Sequence, residues 1–155
     1  MKQVLSIPYQ LVNNEDLDAQ DKQLEAAASA IAEQAYAPYS NFRVGAAALL
    51  ENGIIVTGSN QENAAYPSGL CAERTALFYA GAQYPDVPVV ALAVVAYNKD
   101  GRVAQISPCG GCRQVLMETA IRFRPFRLLL CGSKETIILE DCRQVLPFGF
   151  DGSDL

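Results

Sequence analysis

Two short cysteine motifs constrain the fold of this chain more than any other feature. The first is Cys71-Ala72-Glu73, and the second is Pro108-Cys109-Gly110-Gly111-Cys112. Three thiols in this one-plus-two arrangement can hold a zinc ion and leave its fourth position open for water. Each motif lies at a predicted helix start, where unpaired N–H groups and partial positive charge favour thiolates. A fold that uses both motifs must therefore bring two helix N-termini together.

Glu73, two residues after Cys71, is a candidate to move protons beside the open metal position rather than to bind metal. The chain has no histidine, which excludes Ser-His and Cys-His nucleophilic systems and all zinc sites that contain His. Three thiolates on Zn²⁺ leave a formal charge of −1, so we expect Arg74 to draw charge off a ligand sulfur through hydrogen bonds. Taken alone, Glu73 would be an ordinary acid at a helix N-terminus, and Cys109 with Cys112 could be a redox pair. The redox interpretation leaves Cys71 and Glu73 unexplained.

The charge balance disfavours a polynucleotide partner. Acidic residues outnumber basic ones by 17 to 12, which gives a net charge of −5, whereas binding to nucleic acid depends on Lys and Arg that neutralise phosphates. The one basic cluster, Arg122, Arg124 and Arg127, is interpreted as a solvated helix end. We therefore expect a small-molecule substrate.

The chain is predicted to form a single catalytic domain, residues 1–155, in the cytoplasm. No signal peptide is apparent, and the longest apolar run, residues 87–97, is too short to span a bilayer. We therefore expect no membrane partner. Five cysteines are an odd number and three have metal spacing, which favours a reducing compartment over a disulfide framework. Cys131 and Cys142 are expected to be small buried apolar residues.

Hydrophobic periodicity predicts an α/β fold. Helices are predicted over residues 17–37, 72–82 and 111–123, and strands over 43–50, 54–59, 87–97, 127–131 and 136–139, with residues 102–106 as a possible extension of the sheet. Asn52-Gly53 between two apolar runs indicates a β-hairpin. This order implies a mixed sheet of about five strands with helices on both faces, a three-layer α/β/α sandwich.

The motifs resemble those of the zinc-dependent cytidine and deoxycytidine deaminases, in the form that uses three cysteines. Residues 39–47 are similar to the family's early strand, 60–66 to its ribose-binding segment and 71–76 to its first zinc helix. Leu146-Pro147-Phe148-Gly149-Phe150 matches a family pattern near the C-terminus. These segments follow the family's order from residue 39 to residue 150.

The resemblance implies hydrolytic deamination of cytidine and 2′-deoxycytidine to uridine and 2′-deoxyuridine plus ammonia, in pyrimidine salvage. It implies one zinc ion per subunit on Cys71, Cys109 and Cys112, with a zinc-bound hydroxide that attacks C4 while Glu73 shuttles protons. Arg74 would support the metal site. The substrate contacts it implies are Phe42, Asn60, Glu62, Tyr66, Ala72 and Phe150. In the family the ring that corresponds to Phe150 reaches the site of a neighbouring subunit, which implies a homotetramer.

Two alternatives remain open from the sequence. One is a deaminase of another aminopyrimidine nucleoside, such as blasticidin S, whose zinc motifs are similar. The other is a structural zinc module without catalysis, in which Cys131 or Cys142 closes a four-cysteine site.

Overall fold

The computed structural model describes residues 1–153 and 155. Its helices and longer strands follow the predicted order, with boundaries that differ by a few residues. In chain order they are β1 Gln10–Asn13, α1 Ala19–Ala32, β2 Arg43–Leu50, β3 Ile55–Ser59, α2 Ala72–Gln83, β4 Val89–Asn98, β5 Gly101–Arg102, α3 Gly110–Arg122, β6 Arg127–Cys131 and β7 Glu135–Leu139.

The strands form one sheet in the order β1-β7-β6-β4-β2-β3, with β5 paired to β4. The β4–β6 pair is parallel and the other pairs are antiparallel, so the predicted mixed sheet is confirmed. It contains the five expected strands together with two short ones, β1 and β5. The possible strand over residues 102–106 extends only to Arg102.

Helices cover both faces of the sheet, which confirms the three-layer α/β/α sandwich. On one face Leu24 and Ala28 of α1 pack in a cluster with Val95 and Leu129. On the other face α2 and α3 pack in a second cluster that includes Leu92, Val94, Ala76 and Leu116. The metal motifs lie at the N-termini of α2 and α3, so both belong to this second layer.

The apolar run over residues 87–97 becomes β4, a strand covered on both faces. Leu92 and Val94 enter one cluster while Ala93 and Val95 enter the other, because successive side chains of a strand point to opposite faces. In the part of the chain that the structure describes, no helix has the length and apolarity needed to cross a membrane.

The predicted hairpin joins β2 and β3. Gly53 has φ +85°, a conformation that glycine adopts without a steric cost, and Leu50 N donates to Ile54 O at 2.8 Å. Helix α1 is shorter than predicted and ends at Ala32. The chain leaves the helix because Tyr36 pairs with the segment after β3: Tyr36 N donates to Asn60 O at 3.0 Å, and Glu62 N donates to Tyr36 O at 2.8 Å.

Gly58 lets α2 approach the sheet closely. A Cβ atom at this position of β3 would lie 2.4 Å from Ala76 N and 2.8 Å from Ala72 O, both in the backbone of α2. No rotamer change could relieve a contact with backbone atoms. The helix that begins at the first metal motif is therefore seated directly on the backbone of β3.

Only part of the basic cluster is the solvated helix end that was expected: Arg122, in the last turn of α3, and Arg124 are exposed, whereas Arg127 is partly buried. Arg127 makes a bidentate pair with Asp21 of α1, at 2.9 and 2.8 Å, and the Asp21 side chain is 3% exposed. Arg124 pairs with Glu51, and Arg122 donates to Pro85 O at 2.6 Å. These guanidinium groups connect elements of the fold.

Replacing Asp21 with Ala should lower the free energy of unfolding by about 2–3 kcal/mol. Loss of one partner from a buried pair costs about 3–5 kcal/mol, and the smaller value is expected because the Arg127 side chain is 28% exposed and Glu140 lies 3.5 Å from its Nε. Urea denaturation measures the change. Glu51→Ala is the matched control: both side chains of the Arg124–Glu51 pair are 52% exposed, so it should cost less than about 1 kcal/mol. Equal losses of stability in Asp21→Ala and Glu51→Ala would contradict the assignment of the Arg127–Asp21 pair as a buried stabilising contact.

Candidate functional site

Three thiols meet where α2 and α3 begin. Cys71 and Cys109 are the residues immediately before the two helices, and neither side chain caps its helix, so both sulfurs are free to face each other. Cys112 lies in the first turn of α3. The Cys71 and Cys109 Sγ atoms are 3.7 Å apart, the Cys109 and Cys112 Sγ atoms are 3.5 Å apart, and all three lie within 4.8 Å of one another.

This spacing fits a zinc ion. Two sulfurs that each bind a tetrahedral zinc at about 2.3 Å are about 3.8 Å apart, close to the two measured separations. Three protein ligands leave the fourth tetrahedral position for water or substrate. The thiol cluster therefore fits one zinc ion per subunit, as the motif spacing predicted.

The two other cysteines lie away from this cluster. Cys131 and Cys142 are both fully buried, and they belong to the apolar clusters on opposite faces of the sheet. The Cys142 thiol donates to Leu116 O at 3.8 Å. Neither thiol completes a four-cysteine site, so the geometry does not support the structural zinc module.

Arg74 contacts the thiol cluster. Its Nη2 donates to Cys71 Sγ at 3.5 Å, while its Nε is buried without a hydrogen-bond partner among the described residues. The neighbouring Cys112 thiol, together with the hydrogen bond from Arg74, lowers the pKa of Cys71 to about 5. The same Cys71 contact raises the pKa of Cys112. The cluster thus favours a thiolate at Cys71.

Glu73 is a buried carboxylate beside the thiols. It lies in the first turn of α2 and is 4% exposed. Burial raises the pKa of Glu73, and the negative charge of Cys71 raises it further. The candidate metal ligands are the three sulfurs, and the Glu73 carboxylate is not among them. The carboxylate therefore lines the site as a separate group.

A cavity of about 570 Å³ opens over the thiols, a size common for small-molecule sites. Its wall includes Cys71, Cys109 and Glu73, and it brings in most of the other residues singled out from the sequence: Phe42, Asn60, Glu62, Tyr66 and Arg74. Residues from distant parts of the chain thus surround one space, whose wall includes two of the three thiols and a buried acid.

Asn60 and Glu62 hold the segment that precedes and begins β2. The Asn60 amide accepts from Val44 N at 2.7 Å and donates to Phe42 O at 2.9 Å. The Glu62 carboxylate accepts from Tyr39 N at 2.9 Å, from Ser40 N at 3.3 Å and from the Ser40 hydroxyl. These last contacts, mainly that of the hydroxyl, lower the pKa of Glu62, so the group is an ionised acceptor on the cavity wall.

Ala72 and Phe150 do not line the cavity with their side chains. Ala72 is fully buried in the cluster beneath α2, which leaves only its backbone for a ligand. Phe150 is 63% exposed, and its carbonyl accepts from Gln114 Nε2 at 2.8 Å on the outer side of α3. The Phe150 ring is therefore available to a neighbouring molecule.

The cavity wall also contains residues that the sequence did not single out. Tyr39 makes an edge-to-face contact with Tyr66, with ring centroids 6.5 Å apart, and Ser40 lies beside it. Ile106 and Ser107 close the wall just before α3. Ile106 is the last residue of the segment over which a strand was considered. No local signal identified the two residues, because Pro108 disfavours only the helical conformation at the residue before it.

Comparisons with known proteins agree with this geometry. Residues 18–126 match the family model described as the cytidine and deoxycytidylate deaminase zinc-binding region. A cytidine deaminase of Sporosarcina psychrophila is 44% identical over 79% of this chain and 85% of its own length. One from Halalkalibacterium halodurans is 51% identical over 56% of this chain, and that match spans 61% of the relative's length.

Solved structures show the same similarity in three dimensions. The cytidine deaminase of Burkholderia pseudomallei superposes with a TM-score of 0.71 at 38% identity, over 86% of this chain and 100% of that one. That of Mycobacterium tuberculosis superposes with a TM-score of 0.66 at 34% identity, over 86% of this chain and 98% of that one.

Proposed function

This chain belongs to the cytidine and deoxycytidylate deaminase family, and from that membership we propose that it hydrolyses cytidine and 2′-deoxycytidine to uridine and 2′-deoxyuridine plus ammonia. The proposal is carried by the buried Glu73 carboxylate, which lines one cavity with Cys71 and Cys109, two of the three thiols that fit zinc. We place the reaction in pyrimidine salvage. The five free cysteines support a reducing, cytoplasmic location.

In the proposed mechanism Glu73 moves both protons. Zinc, when bound by the three thiolates, supplies an activated water as the nucleophile. Glu73 accepts a proton from the water that attacks C4 and delivers it to N3 of the pyrimidine. It then carries a second proton from the new hydroxyl to the amino group, so that the C4–N bond breaks and ammonia leaves. Burial of Glu73 keeps bulk water from competing for these protons.

Arg74 is proposed to withdraw negative charge from the metal ligands. Its hydrogen bond to Cys71 Sγ places a permanent positive charge against the anionic cluster. Less charge on the sulfurs leaves a bound cation more electron-poor, which favours ionisation of the attacking water.

Asn60 and Glu62 are proposed to recognise the sugar, and Phe42 the base. After its bonds to Val44 N and Phe42 O, the Asn60 amide retains one hydrogen and one acceptor site. Glu62 retains acceptor capacity on the cavity side of the same segment. Phe42 offers a ring for stacking on a pyrimidine, and Tyr66 forms part of the cavity rim with Tyr39. Ala72 would contribute through its backbone.

We propose a homotetramer in which Phe150 of one subunit completes the site of another. The support is its position: the ring is exposed and lies outside its own subunit's cavity. An exposed aromatic ring is suited to stacking on a base in a neighbouring molecule.

Phe150→Ala should raise the Michaelis constant for cytidine about tenfold, because stacking of a base on an aromatic side chain contributes about 1–3 kcal/mol. Zinc content should be unchanged, since the ring touches no ligand. Steady-state kinetics and metal analysis measure both. Phe148→Ala is the control, because Phe148 is also exposed but has no proposed role. An unchanged Michaelis constant in Phe150→Ala would show that the cross-subunit contact is absent.

The activity is tested with the zinc-loaded protein in an ultraviolet absorbance assay. Cytidine, 2′-deoxycytidine and blasticidin S are supplied separately, and ammonia release is measured in parallel. We expect deamination of both nucleosides. Turnover of blasticidin S alone would support the alternative substrate, and a zinc-loaded protein inactive on all three would refute the proposal.

A further inference from the structure

The Glu62 carboxylate has nearly all of its acceptor capacity engaged by one turn of the chain. Its Oε2 accepts the two backbone bonds from Tyr39 and Ser40, and its Oε1 accepts the bond from the Ser40 hydroxyl. A carboxylate has about four lone-pair sites. One acceptor site, on Oε1, therefore remains for a ligand in the cavity.

Ser40 connects this acceptor to Phe42, whose ring is proposed to stack on the base. Its hydroxyl donates to Glu62 Oε1 and accepts from Phe42 N at 3.0 Å. The turn reverses at Asn41, whose φ of +54° is a conformation that Asn tolerates better than most residues. The turn also closes through Asn41 N, which donates to Ala37 O at 3.0 Å.

We propose that Ser40 is a positioning residue for sugar recognition, whose hydroxyl fixes Glu62 Oε1 so that its remaining lone pair accepts a ribose hydroxyl. Both backbone donors bind Oε2. Without the Ser40 hydroxyl, Oε1 would have no partner within the described part of the chain, and it would turn or bind water. This inference rests on the proposed function, because it takes cytidine as the substrate.

The test compares two substrates in the zinc-loaded enzyme. In Ser40→Ala, kcat/KM for cytidine should fall about tenfold, mainly through KM, because the bond to a charged acceptor is lost. For 2′,3′-dideoxycytidine, which lacks both ring hydroxyls, kcat/KM should change by less than about twofold. Ser40→Thr retains the hydroxyl and should recover most of the cytidine activity.

Ser29→Ala is the matched control, because Ser29 also donates to a glutamate, Glu25 Oε1 at 3.5 Å, but lies on α1 away from the cavity. It should leave both kcat/KM values unchanged. Equal losses for the two substrates in Ser40→Ala would overturn the inference, since they would place the effect on Phe42 or on the turn itself. Wild-type values for both substrates would also overturn it. If the wild-type enzyme did not deaminate cytidine, the proposed function would fail first.

Discussion

Glu73→Gln is expected to lower cytidine turnover by about 10⁴-fold or more, while the protein folds and keeps its zinc. General acid–base groups typically contribute about 10²–10⁴-fold, and this carboxylate is proposed to serve two proton transfers. Glutamine preserves the size and shape of the side chain but cannot accept a proton from the attacking water. The turnover number at saturating cytidine measures the effect, and metal analysis of the same sample measures zinc.

Two further measurements separate catalysis from structure. The variant should still bind uridine, because the sugar and base contacts remain. Glu118→Gln is the control for the chemical change, since Glu118 is exposed on α3 and should give wild-type turnover. Near wild-type turnover in zinc-loaded Glu73→Gln would assign the proton transfers to another group. Loss of zinc in that variant would instead show that Glu73 supports the metal site.

Ala substitution of Cys71, Cys109 or Cys112 should abolish both zinc binding and activity. Two remaining thiolates leave the ion without the ligand set that the observed spacing fits. Zinc per chain should therefore fall from about one to near zero, as measured by metal analysis after gel filtration.

Cys131→Ala and Cys142→Ala are the matched controls. Both should retain zinc and turnover, at a cost of about 1 kcal/mol or less in stability, since each removes one small buried group. Because both thiols are fully buried, titration of thiols in the native protein would count them as protected. Metal content is therefore the more direct measurement. An active, zinc-loaded Cys71→Ala protein, or a zinc-free Cys142→Ala protein, would contradict the ligand assignment.

Local sequence signals predicted most of the fold because periodicity and turn chemistry act over short distances. The Asn52-Gly53 hairpin and the covered strand β4 are examples. Helix α1 was predicted too long, since Pro38 was the nearest local stop signal. The structure ends it at Ala32, because Tyr36 pairs with residues more than twenty positions away. Strand β1 was missed because it is four residues long and mostly exposed, so it has no apolar pattern.

The three cysteines of the candidate site could be predicted because metal ligation requires particular side chains at particular spacings. The cavity wall could not be predicted in the same way. Ser40 and Ser107 line the cavity only because the fold brings their loops there. A serine in a loop has no distinctive sequence signal. Likewise, the bonds of Asn60 and Glu62 to the segment before β2 depend on long-range pairing. The family resemblance implied that these residues bind a ligand, and the structure shows that they lie in the cavity wall and hold the segment around the start of β2.

The close seating of α2 on β3 has a consequence for mutational tolerance. Helix α2 and the residue immediately before it carry Cys71, Glu73 and Arg74. The other two thiols, Cys109 and Cys112, lie at the start of α3. The close contact at Gly58 sets the distance between α2 and the sheet. A methyl group there would displace three functional groups together relative to the other two thiols. Sensitivity to substitution in this enzyme therefore need not decline with distance from the ligand, and a residue with no side chain can be as intolerant of change as a catalytic one.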